Sequence, residues 1–114
     1  SEENFQQVVS NISGIIWKAD FLENGKFDNM YISPVADKLL ELPEGTIGSD
    51  WNKYLSFVKP EYLDNIYNFF YRVKSSPGKS LGFEYEVTKG TGKTAWFYSK
   101  GKSIVKDGKV SLFG

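Results

Sequence analysis

Residues 81–114 constrain this chain more than any other stretch, because three alternating runs joined by two turn signals can be registered on one another without contradiction. Lys89-Gly90-Thr91-Gly92-Lys93 lies between the first two runs, and its glycines are expected to supply the positive φ angles of a hairpin. Lys106-Asp107-Gly108-Lys109 reads as a two-residue Asp-Gly turn of type I′. Facing Lys106 with Lys109 pairs Val105 with Val110 and Ser103 with Leu112. Facing Thr88 with Thr94 pairs Val87 with Ala95, Tyr85 with Phe97 and Phe83 with Ser99. Side chains alternate with period two, so one face collects Leu81, Phe83, Tyr85, Val87, Ala95, Phe97, Ser99, Gly101, Ser103, Val105, Val110 and Leu112. The opposite face holds Glu84, Glu86, Trp96, Tyr98, Lys100, Lys102, Ile104 and Phe113. The first is read as the core face, the second as a mixed face with an apolar stripe.

Composition removes several functions. At 114 residues the chain is expected to form one domain with a real core. It has no cysteine, which excludes disulfides, thiolate metal sites and a cysteine nucleophile. It has no histidine, which removes the commonest general base and the usual haem and zinc ligand. No apolar run is long enough for a membrane span or signal peptide, so no membrane contact and a cytoplasmic setting are expected. Five basic residues stand against eleven acidic ones up to Tyr71, and nine basic against three acidic from Arg72 onward. That imbalance raises nucleic acid as a partner. The later lysines fall at turns and strand ends, where solvated charge and edge protection explain them, and no nucleic-acid partner is expected.

Along the chain, Phe5, Val8, Val9 and Ile12 recur at helical spacing and predict an amphipathic helix in residues 1–13, ahead of a folded core at 14–114. Gly14 to Phe21 reads as a strand, Asn24-Gly25 as a turn and Phe27 to Ser33 as a second strand. Ser33-Pro34 suggests a helix start with Ser33 as cap, the helix running to about Glu41. Residues 42–48 read as loop. Asp50 is placed to cap a short helix bearing Trp51, Tyr54, Leu55 and Val58. Lys59-Pro60-Glu61 opens the longest helix, whose Tyr62, Leu63, Ile66, Phe69, Phe70 and Val73 form one apolar stripe. The predicted class is α+β: a five-stranded antiparallel sheet with helices packed on one face and the N-terminal helix on or near the other.

In this order the chain resembles a PAS domain, over nearly its whole length. The resemblance is carried by Gly14-Ile15-Ile16-Trp17-Lys18-Ala19-Asp20, by Met30-Tyr31-Ile32-Ser33-Pro34 with Leu39-Leu40, and by Val58-Lys59-Pro60 with the helix behind it. Glu84-Tyr85-Glu86 with Gly92, Trp96, Gly101 and Gly108 completes it. Glu41 stands where many members have glycine, and Lys59 where many have histidine. The resemblance implies a sensory module of a larger protein, most naturally a histidine kinase of a two-component system, with the output module lying beyond Gly114.

Members bind haem, flavin or small metabolites, or bind nothing and transmit dimer geometry. Without histidine, a histidine-ligated haem is excluded; without cysteine, so is a flavin adduct of the cysteine type, and the cofactor stays unknown. The wall of a small-molecule pocket between sheet and long helix is expected at Trp17, Tyr31, Phe70, Tyr85, Phe97 and Ser99. The same side chains would serve equally as core filling. Ser99, Gly101 and Ser103 leave room on the inner face for either a helix or a ligand. Glu84 and Glu86 superficially resemble an acid-base pair, but they fall on the outer face within reach of Lys100 and Lys102, so no catalytic residue and no metal site are expected. Leaving Trp96, Tyr98, Ile104 and Phe113 wet would forfeit about 6 kcal/mol or more, comparable with a domain's net stability. Cover by Phe5, Val8, Val9 and Ile12 is therefore expected, either within one chain or in a homodimer.

Overall fold

The computed structural model describes residues 14–114, and the helix expected in residues 1–13 lies outside them. The elements are β1 (Trp17–Phe21), β2 (Phe27–Ile32), α1 (Val35–Leu39), α2 (Trp51–Leu55), a 3-10 turn (Pro60–Tyr62), α3 (Leu63–Ser75), β3 (Leu81–Thr88), β4 (Thr94–Lys106) and β5 (Lys109–Phe113). The strands form one five-stranded antiparallel sheet in the order β2-β1-β5-β4-β3. The two C-terminal hairpins adopt the expected registers, Val87 opposite Ala95, Phe83 opposite Ser99, Val105 opposite Val110 and Ser103 opposite Leu112. Their turns explain why. Asp107 (φ 53°) and Gly108 (φ 74°) are both left-handed, the geometry a type I′ turn demands.

Gly92 also has positive φ, at 88°, but Gly90 does not. Gly90 serves a close approach instead: its N–H donates to the Leu40 carbonyl at 2.8 Å, and a Cβ there would lie 3.0 Å from the Glu41 carbonyl oxygen. This docks the β3–β4 hairpin on the chain following α1. Glu41 itself takes φ 55° and is held there by a hydrogen bond from Thr91 Oγ1 and an ion pair with Lys89 at 3.7 Å.

The helices cover the inner face. Ile66, Phe69, Phe70 and Val73 of α3 are buried, following the apolar stripe read from their spacing. Gly101 and Ser103 let this helix come close. A Cβ on Gly101 would lie 2.9 Å from Phe69 and 3.0 Å from Trp17, and Ser103 Oγ donates to the Val73 carbonyl at 2.7 Å. Two of the three small inner residues thus admit a helix, while Ser99 faces a cavity.

Val105 departs from expectation: its register puts it on the inner face, yet it is 56% exposed. α3 ends at Ser75, and its hydrogen bond to β4 is made at Ser103, from Oγ to the Val73 carbonyl; two residues further on, among the described residues, Val105 is left largely in solvent. The cap expected of Ser33 is also corrected. Its hydroxyl turns back 17 residues to accept the Ile16 N–H at 2.9 Å, and Pro34 begins α1 without a side-chain cap. Asp50 does cap α2, its Oδ1 accepting from Asn52 N at 2.9 Å and Lys53 N at 3.3 Å. Pro60 opens the 3-10 turn rather than α3 itself. Just before it, residues 57–59 run along the outer edge of β3, with Thr88 N–H donating to the Phe57 carbonyl (2.8 Å) and Lys59 N–H to the Glu86 carbonyl (3.0 Å).

Candidate ligand cavity and outer sheet face

The cap on α2 fixes where its side chains go. Trp51 and Tyr54 lie three residues apart, on one side of the short helix, and both turn toward the sheet. Trp51 packs edge-on against Trp17 (5.8 Å between centroids) and Phe70 (5.2 Å), each also in edge contact with the other at 5.4 Å. From the opposite side β3 contributes Phe83 and Tyr85, and β4 contributes Ser99. Together with Ile66 and Phe69 of α3 these enclose a cavity of about 30 Å³.

One end of this aromatic enclosure is polar. Ser99 Oγ donates to the Tyr85 hydroxyl at 3.1 Å, and the Tyr85 and Tyr54 hydroxyls share a bond of 2.5 Å. Burial pushes both phenols above the usual tyrosine value, Tyr54 furthest because the neighbouring Tyr85 adds to the shift. Both therefore stay protonated at neutral pH. Trp51 Nε1 is out of solvent and finds no acceptor among the described residues. Among the described residues no carboxylate, lysine or arginine lines the cavity.

Of the six side chains expected to wall a pocket, Trp17, Phe70, Tyr85 and Ser99 line this cavity. Tyr31 does not. It pairs with Lys18, which faces outward, and its neighbour Ile32 takes the inner position opposite Trp17, so the period-two rule puts Tyr31 on the far side of the sheet. Phe97 is on the inner face but behind Tyr85, its ring 6.2 Å away, and does not line the cavity. Trp51, Tyr54 and Phe83 line the cavity in addition to the wall expected from the sequence. The Asp50 cap with aromatics at the first and fourth helical positions was the available signal for the first two.

At about 30 Å³ the cavity exceeds the roughly 10–15 Å³ that a water molecule needs. It is far below the several hundred Å³ of sites for drug-sized ligands, and so below what a flavin or haem would require. Any ligand larger than a few atoms must displace a wall. Phe83 is the candidate, being half-buried and bordering both the cavity and a surface groove beside Asn65, Asn68 and Arg72.

The outer face bears the expected stripe: Trp96 and Tyr98 are each 59% exposed, Ile104 47% and Phe113 37%. Tyr62 packs edge-on against Trp96 at 5.6 Å and covers one end of it. Glu86 pairs with Lys59 at 3.1 Å, not with Lys100 or Lys102. The residues that would cover the stripe, Phe5, Val8, Val9 and Ile12, lie outside the described residues. At the far edge of this face Asp20 is 4% exposed. It accepts from Asn29 Nδ2 and Ser111 Oγ, both at 2.7 Å, and pairs with Lys109 at 3.1 Å. Burial raises its pKa, but the three partners outweigh burial and hold it at about 2.

The PAS fold family matches residues 29–113. No curated protein matches the sequence. Among solved structures, the N-terminal domain of a diguanylate cyclase with PAS/PAC sensor from Marinobacter aquaeolei is 25% identical, with a TM-score of 0.61 over 88% of this chain and 89% of that one. A domain described as that of a light and redox sensing histidine kinase from Haloarcula marismortui is 14% identical, with a TM-score of 0.60 over 96% and 95%. A sensory box histidine kinase/response regulator from Burkholderia thailandensis is 19% identical, with a TM-score of 0.51 over 97% and 82%. The last two likenesses speak to fold. Among the described residues no helix is long and apolar enough to cross a membrane.

Proposed function

The chain belongs to the PAS fold family, and from that premise we propose that it is a sensory module in which a small molecule entering the cavity between α2, α3 and the β3–β4 hairpin sets the state of a neighbouring output module. The observation that carries this reading is the hydroxyl chain of Ser99, Tyr85 and Tyr54 at one end of an otherwise aromatic enclosure. Apolar walls with a few oriented polar groups are how small-ligand sites are built. A ligand that prefers one arrangement of these walls shifts the population toward it. The outer stripe is the natural exit for that signal, through residues 1–13 and a second copy of the chain. A histidine kinase or a diguanylate cyclase is the output class that the similar proteins suggest. Native mass spectrometry of freshly purified protein tests the ligand: a retained mass, or a shift with a metabolite library, is expected. Bare protein that responds to nothing refutes it.

A second reading, a dimerisation module with a filled core, is favoured by the small volume of the cavity. Both readings place association on the outer face. Ile104→Glu tests that surface with little harm to the monomer, since Ile104 is half-exposed, pairs with Ser111 and has Lys102 and Lys106 two positions away on the same face. The solution mass is expected to fall to that of one chain. An unchanged mass with an unchanged melting temperature would remove the outer face from the mechanism.

A further inference from the structure

The polar end of the cavity has hydrogen-bond donors left unused. Ser99, Tyr85 and Tyr54 carry three hydroxyl protons, and their two mutual bonds use two of them. Whichever way the Tyr54–Tyr85 bond runs, one tyrosine O–H is left over. Trp51 Nε1–H is a second unused donor, since an indole nitrogen can only donate. A buried donor without an acceptor is costly, and both donors belong to side chains that line the same small cavity. Nothing ionic among the described residues lines the wall, so a charged guest would be desolvated without a counter-charge from them.

We propose that the cavity is built for the oxygen end of a neutral molecule, a carbonyl-type acceptor taking hydrogen bonds from Trp51 Nε1–H and from the Tyr54–Tyr85 hydroxyl pair, with Phe83 as the wall that moves to admit the rest. The inference rests on the ligand-binding reading above and adds the chemistry of the ligand. The aromatic rings of Trp17, Phe69 and Phe70 supply the apolar enclosure for the remainder of the guest. Because the raised phenol pKa values keep both tyrosines protonated, the donor set does not change across the neutral range.

Acetophenone and α-methylstyrene differ by an oxygen for a methylene and little else in shape, so they isolate the acceptor. The Trp51 indole N–H resonance is assigned by its loss in Trp51→Phe, and both probes are then titrated by nuclear magnetic resonance. Acetophenone is expected to move that resonance and to bind about tenfold to a hundredfold more tightly than α-methylstyrene, with the margin narrowing in Trp51→Phe. Equal affinity for the two probes, or acetophenone binding that leaves the Trp51 N–H unmoved, overturns the acceptor inference while leaving a small-molecule site in place. Phe83→Ala, or Phe83→Leu should the alanine fail to fold, repeats the titration with the wall opened. Failure of both probes to bind wild type and opened variant, with a cross-peak from the indole proton to a long-lived water, overturns the inference and the ligand reading together.

Discussion

Asp20→Asn should make this domain lose its resistance to acid in a predictable window. The carboxylate is nearly inaccessible and is held by Asn29, Ser111 and Lys109, and its pKa drops from an ordinary 3.8 to about 2. A folded-state pKa below the unfolded one means that the ionised form favours folding, so its contribution is complete above about pH 5 and disappears as pH falls through about 2. At about 1.4 kcal/mol per pKa unit, the shift amounts to about 2 kcal/mol at neutral pH, a sizeable part of the roughly 5–15 kcal/mol that a small domain has. The asparagine keeps the shape but not the charge, and its NH₂ must face donors on one side, which adds an offset independent of pH. Urea denaturation followed by tryptophan fluorescence, at pH 7, 4 and 2.5, gives the stability difference between the two proteins. Other carboxylates titrate in both and cancel. The difference is expected to shrink by about 1.5 kcal/mol between pH 7 and pH 2.5, roughly two-thirds of the whole, since the folded-state group is still partly ionised there; a gap that stays constant over this range would show that the charge of Asp20 is not what its partners stabilise.

Further substitutions probe the supports of the cavity. Asp50→Ala removes the acceptor for Asn52 N and Lys53 N and should cost about 1 kcal/mol in chemical denaturation. Gly101→Ala places a Cβ 2.9 Å from Phe69 and 3.0 Å from Trp17 and should lower stability by about 1–3 kcal/mol through overpacking, read as a fall in melting temperature. Ser103→Ala nearly keeps the volume but deletes the bond to the Val73 carbonyl, which retains only Ser76 N at 3.3 Å, and should cost about 1 kcal/mol by the same measurement.

How far the sequence could be read depended on the range of the interaction. The C-terminal hairpins were legible because a type I′ turn at Asp107-Gly108 fixes a register, and period two then assigns every side chain to a face. The stripe on α3 and the Asp50 cap were legible for the same local reason. Ser33 was misread because a serine before proline has two possible partners, and the choice between the α1 start and Ile16 is settled by where β1 passes. Tyr31 lies on the other face from the one expected because the Asn24-Gly25 turn fixes the β1–β2 register only at its near end, Phe21 opposite Phe27. The pairing of β2 with β1 shifts between Lys18 and Asp20, next to the left-handed Asn29, and no short-range signal marks that irregularity. The cavity wall from α2 and the Asp20 cluster were hidden for the same reason. Each joins residues from distant parts of the chain, Tyr54 to Tyr85 and Asp20 to Ser111.

The central position of β1 and β5 has a mechanical consequence. Trp17 and Gly114 exchange two backbone hydrogen bonds, N–H to carbonyl in each direction, both 2.9 Å long. Tension between segments joined at the two ends would therefore load these strands by peeling, opening one rung at a time from the Trp17–Gly114 pair, instead of shearing all the rungs at once. Peeling needs little force. The first rung to give way carries the backbone of Trp17, whose ring lines the cavity, so a tug too weak to unfold the domain would already be felt by whatever sits inside it.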